Sequence, residues 1–129
     1  MVDPSAVATP LEVAEDYIAT YNADDLVAMR ALYHPDVRVI HHNRGVDKTD
    51  LDLIFAGKLA ARKSMPDKLF HSRRSITAEG PRVVIEHSWS GNAVRDFPGF
   101  AAAGERVELD LCTVITVHDG LITAYDDYG

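Results

Sequence analysis

Residues 106–128 read RVELDLCTVITVHDGLITAYDDY, and this stretch decides the fold. Val107, Leu109, Leu111, Thr113, Ile115 and Val117 recur at every second position. Period two places them on one face of a strand. His118-Asp119-Gly120 is a tight hairpin signal. The chain then returns as LITAYDDYG, a closing strand with Leu121, Thr123, Tyr125 and Asp127 on one face. Ile122, Ala124, Asp126 and Tyr128 share the other face.

The same pattern extends upstream. RVVIEHSWSG carries Val83, Ile85, His87 and Trp89 on one face, and Gly80-Pro81 turns the chain into it from KLFHSRRSITAE. A loop rich in Gly, Pro and Ala, NAVRDFPGFAAAGE, separates this strand pair from residues 106–128. Before residue 65 the period changes to helical. In TPLEVAEDYIATYN, Thr9, Pro10 and Glu12 form a capping box with proline at the first helical position. Val13, Tyr17 and Tyr21 follow at helical spacing. Asp24 or Asp25 starts a second helix, LVAMRALY, which His34-Pro35-Asp36 stops. A strand follows from about Val37 to His41, then a loop, RGVDKTD. Thr49 or Asp47 caps a third helix, DLDLIFAGKLAARK, whose apolar stripe is Leu51, Ile54, Phe55 and Leu59. The order is helix, helix, strand, helix, then antiparallel strands. It predicts an α+β fold with helices packed on one face of a curved sheet. Residues 1–8 read as a flexible N-terminus and 9–129 as one domain.

The totals narrow the function. The net charge of −7 and the scatter of basic residues speak against nucleic acid. Cys112 is the only cysteine, so no internal disulfide is expected, and it reads as a buried structural thiol. No leader or long apolar run is visible, so the expectation is a cytoplasmic protein that does not engage a membrane. The chain has six histidines but no His-x-x-x-His or Cys-x-x-Cys spacing. No metal and no cofactor are therefore expected.

Strand parity singles out the side chains that can do chemistry. In VRVIHHNRG, residues 37–45, Val37, Val39, His41 and Asn43 share one face, and Arg38, Ile40 and His42 share the other. Arg38 prefers solvent, so His41 and Asn43 are expected inside and His42 outside. An imidazole titrates close to working pH, which suits acid–base catalysis. His87 should point inward with Trp89. His71 lies on the preceding strand, sharing a face with Leu69, while Phe70 and Ile76 claim the other. Tyr17 sits on the apolar stripe of the first helix, where its phenol needs a partner.

YIATYNADDLVAMRALYHPDVRV, MPDKLFHSRRSITAEGPRVVIEHSWSG and FPGFAAAGERVELDLCTVITVHDGLITAYDDY together resemble the SnoaL-like proteins. That group includes polyketide cyclases and lies within the nuclear transport factor 2-like superfamily, beside the ketosteroid isomerases. The resemblance spans residues 11–128. It implies a cone: a bent sheet wrapped around helices, with an apolar pocket at the open end. His41 then falls where ketosteroid isomerases place their general base, and Tyr17 on their oxyanion-stabilising tyrosine. Thr113 falls on their protonated aspartate. His41-x-Asn43 matches a water-holding Tyr-x-Asn pair of limonene epoxide hydrolases, and Asp127 their pocket aspartate. Their Arg-x-Asp is missing from IEHSWSG, which disfavours epoxide hydrolysis. His87 and His71 fall near the catalytic histidines of scytalone dehydratase-like enzymes.

The expected catalytic set is His41, His87, Asp127 and Tyr17. Asn43, His71, Trp89, Thr113, Tyr125 and Phe55 are expected to contact substrate. The implied activity is cofactor-free isomerisation, dehydration or aldol-type cyclisation of a small hydrophobic ring substrate, polyketide-like or steroid-like. The alternative is a non-catalytic ligand-binding or dimerisation module. A homodimer through the sheet is expected, with Cys112 and Val114 on its outer face.

Overall fold

Asp119 and Gly120 take φ of 52° and 76°, so the two residues between His118 and Leu121 turn the chain back on itself. Positive φ at both central positions matches the right-handed twist of the flanking strands. In the computed structural model, which describes residues 7–129, this hairpin is the middle of a six-stranded sheet. The elements are α1 (Pro10–Asn22), α2 (Leu26–Arg30), β1 (Tyr33–His41), β2 (Val46–Lys48), α3 (Leu51–Ser64), β3 (Leu69–Glu79), β4 (Arg82–Asn92), β5 (Arg106–His118) and β6 (Leu121–Tyr128). The strand order is β2-β1-β6-β5-β4-β3. All neighbours are antiparallel except β1 and β6, which run parallel.

The α+β architecture is the expected one. Thr9 caps α1 through the reciprocal bonds with Glu12. Val13, Ala14 and Tyr17 bury the stripe of α1 against β3, β4 and β5, and α3 lies beside β1 and β2. Val37, Val39, Val83, Ile85, Leu111, Ile115 and Tyr125 complete the core from the inner face of the sheet. Asn22, the last residue of α1, pairs with β3 like a neighbouring strand. Its side chain accepts from Phe70 N–H at 2.8 Å and donates to Phe70 C=O at 3.0 Å. No helix among the described residues is long and apolar enough to cross a membrane.

Several boundaries differ from the sequence reading. The second helix ends at Arg30, and Tyr33 already belongs to β1, where His34 and Pro35 sit inside the strand. The loop after His41 contains β2, which pairs with β1 through Val39–Lys48 and His41–Val46. Asp50 caps α3, accepting from Asp52 and Leu53 N–H, because Asp47 is taken by Arg38 at 2.7 Å. Leu59 leaves the apolar stripe and faces solvent. On β6, Ile122 is buried while Leu121 and Thr123 are only half-buried. A register shift between Thr116 and Val117 resets the alternation there. The expectation for residues 1–6 of the flexible N-terminus lies outside the described residues.

Asn22→Ala should leave both polar groups of Phe70 unpaired. The expected cost is about 1–3 kcal/mol in urea unfolding, the penalty for stranded buried polar groups. A loss below 0.3 kcal/mol would mean that water replaces the amide freely.

Candidate active site

The inner face of the sheet, α1 and α3 enclose a cavity of about 450 Å³. That volume suits a small organic molecule. Its wall is largely aromatic, with Tyr17, Tyr21, Phe70, Trp89, Phe100 and Tyr125 among the lining residues. Trp89 Nε1 donates to the Tyr21 hydroxyl at 2.8 Å, so the indole is locked in place.

Strand register builds the polar corner. His41 on β1 lies directly opposite Asp127 on β6, and Asp127 directly opposite Thr113 on β5. Three neighbouring strands therefore present imidazole, carboxylate and hydroxyl side by side. The His42 N–H donates to Asp127 C=O at 2.9 Å and secures the end of the parallel pair. Thr113 donates its only hydroxyl proton to Asp127 Oδ1 at 2.6 Å. Its oxygen then accepts from His87 Nε2 at 2.8 Å, which places the His87 proton on that nitrogen. His41 Nδ1 lies 3.1 Å from Asp127 Oδ2.

The carboxylate is buried, which would push its pKa up. The His41 hydrogen bond and charge, the Thr113 hydroxyl and the Arg44 charge outweigh burial, and the net shift is downward. Asp127 is thus an anion whose two oxygens are both engaged. His87 goes the other way. Burial lowers its pKa to about 4, only partly opposed by Asp127, so it is neutral at ordinary pH. Its ring stacks on Phe70 at 4.5 Å between centroids.

Arg44 comes from the turn between β1 and β2 and lines the cavity. Its Nη2 approaches the same His41 Nδ1 to 2.8 Å and lies 3.6 Å from Asp127 Oδ2. One nitrogen cannot donate to a carboxylate and accept from a guanidinium together. With the proton on Nδ1, Asp127 holds the ring and Nε2 offers a lone pair. With Arg44 donating to Nδ1, Nε2 carries the proton. Arg44 and Asp127 thus compete for Nδ1, which decides whether Nε2 is a donor or an acceptor, and Nε2 has no hydrogen bond among the described residues.

Burial holds the Tyr17 phenol well above its usual range, so it stays protonated. Tyr33 and Tyr125 are also pushed up by burial, with the nearby Tyr17 hydroxyl opposing the shift of each in part. Lys58 Nζ sits 5.5–5.9 Å from the ring centres of Tyr17, Tyr21, Tyr33 and Phe55. Burial lowers its pKa to about 8; nearby Asp127 opposes this, and Lys68 and Lys48 add to it.

Of the residues expected at the site, His41, Asp127, Tyr17, Trp89 and Tyr125 line the cavity. Thr113 and His87 do not; they form the layer behind Asp127, where β4 and β5 are fully covered. Asn43 is exposed, because the chain leaves β1 after His41 and turns, and parity ends with the strand. His71 pairs with Ser88 on the outer face, because Phe70 takes the inner position of β3. Phe55 backs the Lys58 ammonium and opens on a shallow depression between α2 and α3 instead of the cavity. His42 is exposed and bound to Asp126 at 2.8 Å, as its parity requires.

Arg44, Lys48, Lys58 and Lys68 escaped the sequence reading. Lys58 had a signal: it follows Ile54 by four residues and Phe55 by three, on the buried stripe of α3.

The family model described as a SnoaL-like domain matches residues 14–125. The chain belongs to that family. Among solved structures, a candidate polyketide cyclase from Pseudomonas putida KT2440 shares 24% identity at a TM-score of 0.78, covering 95% of this chain and 92% of that one. A second candidate polyketide cyclase, from Xanthomonas campestris pv. campestris, gives 23% and 0.80 over 93% and 89%. A hypothetical protein with a ketosteroid isomerase-like fold from Catenulispora acidiphila, solved with trimethylamine, gives 19% and 0.74 over 95% and 87%. These likenesses establish the cone-shaped fold. No curated protein matches the chain.

The buried His87 of this SnoaL-like domain makes a pH prediction. Its folded pKa lies below the unfolded value of 6.5. The unfolded chain therefore takes up this proton first, and stability falls as pH drops from 6.5 towards 4. His87→Asn should remove on the order of 2–3 kcal/mol from that slope, read by urea unfolding at several pH values. An unchanged slope would place the buried proton elsewhere.

Proposed function

We propose that this SnoaL-like domain is an enzyme that removes and returns a proton next to a carbonyl of an apolar ring compound. His41 is the group that touches substrate. One observation carries this reading: His41 lines an aromatic cavity with Nδ1 held by a buried carboxylate whose other oxygen is held by Thr113. Asp127 has no free oxygen, so it orients the imidazole. With the proton on Nδ1, the unoccupied lone pair is that of His41 Nε2. A base held in one orientation by an anion is the arrangement that general base catalysis needs.

Proton removal leaves negative charge on the carbonyl oxygen. The Tyr17 phenol lines the same cavity and stays protonated, so it is a donor for that oxygen. Trp89 and Tyr125 supply flat apolar walls for the ring system. His87 and Thr113 are positioning residues, acting on substrate only through Asp127. Isomerisation, dehydration and aldol-type cyclisation share this proton removal. The polyketide cyclase and ketosteroid isomerase-like descriptions of the structural neighbours support the class.

The test is exchange of α-protons for deuterium in bicyclic ring ketones such as 2-tetralone, followed by NMR in D₂O. His41→Ala should slow exchange by roughly 10²–10⁴-fold, the usual contribution of a general base. The variant also takes one partner from the buried Asp127, so its melting temperature should fall, and exchange is compared at a temperature where both proteins are folded. Exchange as fast as in the parent would remove His41 from the chemistry. Ketone binding without any exchange would make the domain a binding module.

A further inference from the structure

The cavity has the opposite charge balance to the chain. The protein has 20 acidic and 13 basic residues. Yet among the described residues Asp127 is the only carboxylate lining the cavity, against Arg44, Lys48, Lys58 and Lys68. Two of these cations have anions of their own: Arg44 lies 3.6 Å from Asp127, and Lys68 lies 3.6 Å from Asp24. Lys48 and Lys58 have no ion-pair or hydrogen-bond partner among the described residues.

These two lysines are brought together by backbone. Lys48 ends β2, and Lys58 lies one turn into the buried stripe of α3. Between them is Gly57, where an added Cβ would stand 3.2 Å from Lys48 Nζ. Glycine within a helix costs about 1 kcal/mol relative to alanine. At this position its missing side chain leaves the space that the Lys48 ammonium occupies against the helix turn that carries Lys58. Lys58 itself is enclosed by four rings whose faces attract a cation but do not neutralise it. Two ammonium groups without counter-ions in one low-dielectric wall concentrate their field on the cavity.

We propose that the cavity takes a carboxylate-bearing ring compound, with the carboxylate seated between Lys48 and Lys58 and the ring against Trp89 and Tyr125. The inference rests on the reading of this cavity as the substrate site. Two point charges beside aromatic faces fit a compact monoanion on an apolar body. A phosphate would call on the fork of a guanidinium, and Arg44, among the described residues the only arginine lining the cavity, is committed to His41 and Asp127. The acidic remainder of the molecule repels anions, so the attraction is confined to the cavity.

The test compares 2-naphthoate with 2-naphthamide, the same ring with and without the charge, by isothermal titration calorimetry in low salt. Naphthoate should bind about tenfold or more tightly than the amide, and added salt should narrow the gap. Lys48→Met and Lys58→Met should each reduce the preference, and the double variant should abolish it. Unchanged amide binding in the double variant shows that the cavity is intact. Equal affinity for the two compounds, binding of neither, or a preference that survives in the double variant would overturn the inference. A carboxylate preference without exchange on any ring ketone keeps this inference and removes the enzymatic reading. Ketone exchange without a carboxylate preference does the reverse.

Discussion

The structure is organised around one buried anion. Taking a carboxylate out of water costs several kcal/mol unless its oxygens find donors and an opposite charge. Asp127 finds them on three sides: Thr113 on one oxygen, His41 on the other, and Arg44 at 3.6 Å. Each comes from a different segment, so the arrangement exists only if β1, β6 and β5 are in the observed register. A slip of one residue would turn Asp127 to the outer face and leave His41 opposite Asp126. The outer face already holds a second pair, His42 with Asp126 at 2.8 Å, half-exposed and stacked on Tyr128. The two pairs have the same side-chain types and differ in burial. Only the inner one faces an enclosed apolar space, which is why the proposed chemistry is assigned to it.

The parallel contact of β1 with β6 is what closes the polar corner. The other pairings of the sheet are local or run through hairpins, as with β3–β4 and β5–β6. β1 reaches β6 across most of the chain's length, and the helices fill the space between. The site is thus made where the first strand meets the last. Local stability elsewhere, such as the α1 capping box or the Asn22 pairing with Phe70, supports the walls but does not set the geometry of the acid–base pair.

The amino-acid sequence carried the fold and half of the site. Period two in 106–117, the Asp119-Gly120 turn and the Thr9–Glu12 box are local signals with local causes, and each appears as expected, whereas the alternation on the closing strand is reset by the register shift after Thr116. Parity placed His41 inside and His42 outside because β1 is regular from Arg38 to His41. The same argument failed for Asn43, since parity has no meaning once the chain turns. Arg44 enters the cavity from that turn, and no periodic signal marks it. Lys58 was masked for a different reason. A charge on an apolar stripe is ordinarily read as solvent-facing, whereas here four aromatic rings accept it. His87 was correctly turned inward, but facing inward and facing the cavity are distinct. Depth depends on Phe70, which covers it from a strand whose register the sequence does not reveal.

The competition at His41 Nδ1 bears on the proposed reaction, in which one residue would serve both halves of a proton transfer. While Nδ1–H faces Asp127 at 3.1 Å, Nε2 is an acceptor. When Nδ1 instead accepts from Arg44 at 2.8 Å, Nε2 is a donor. The two arrangements exclude each other, and each suits one half of the transfer. The cavity thus holds the partners for both tautomers of a single imidazole, and the exchange between them needs only a small movement of the Arg44 side chain.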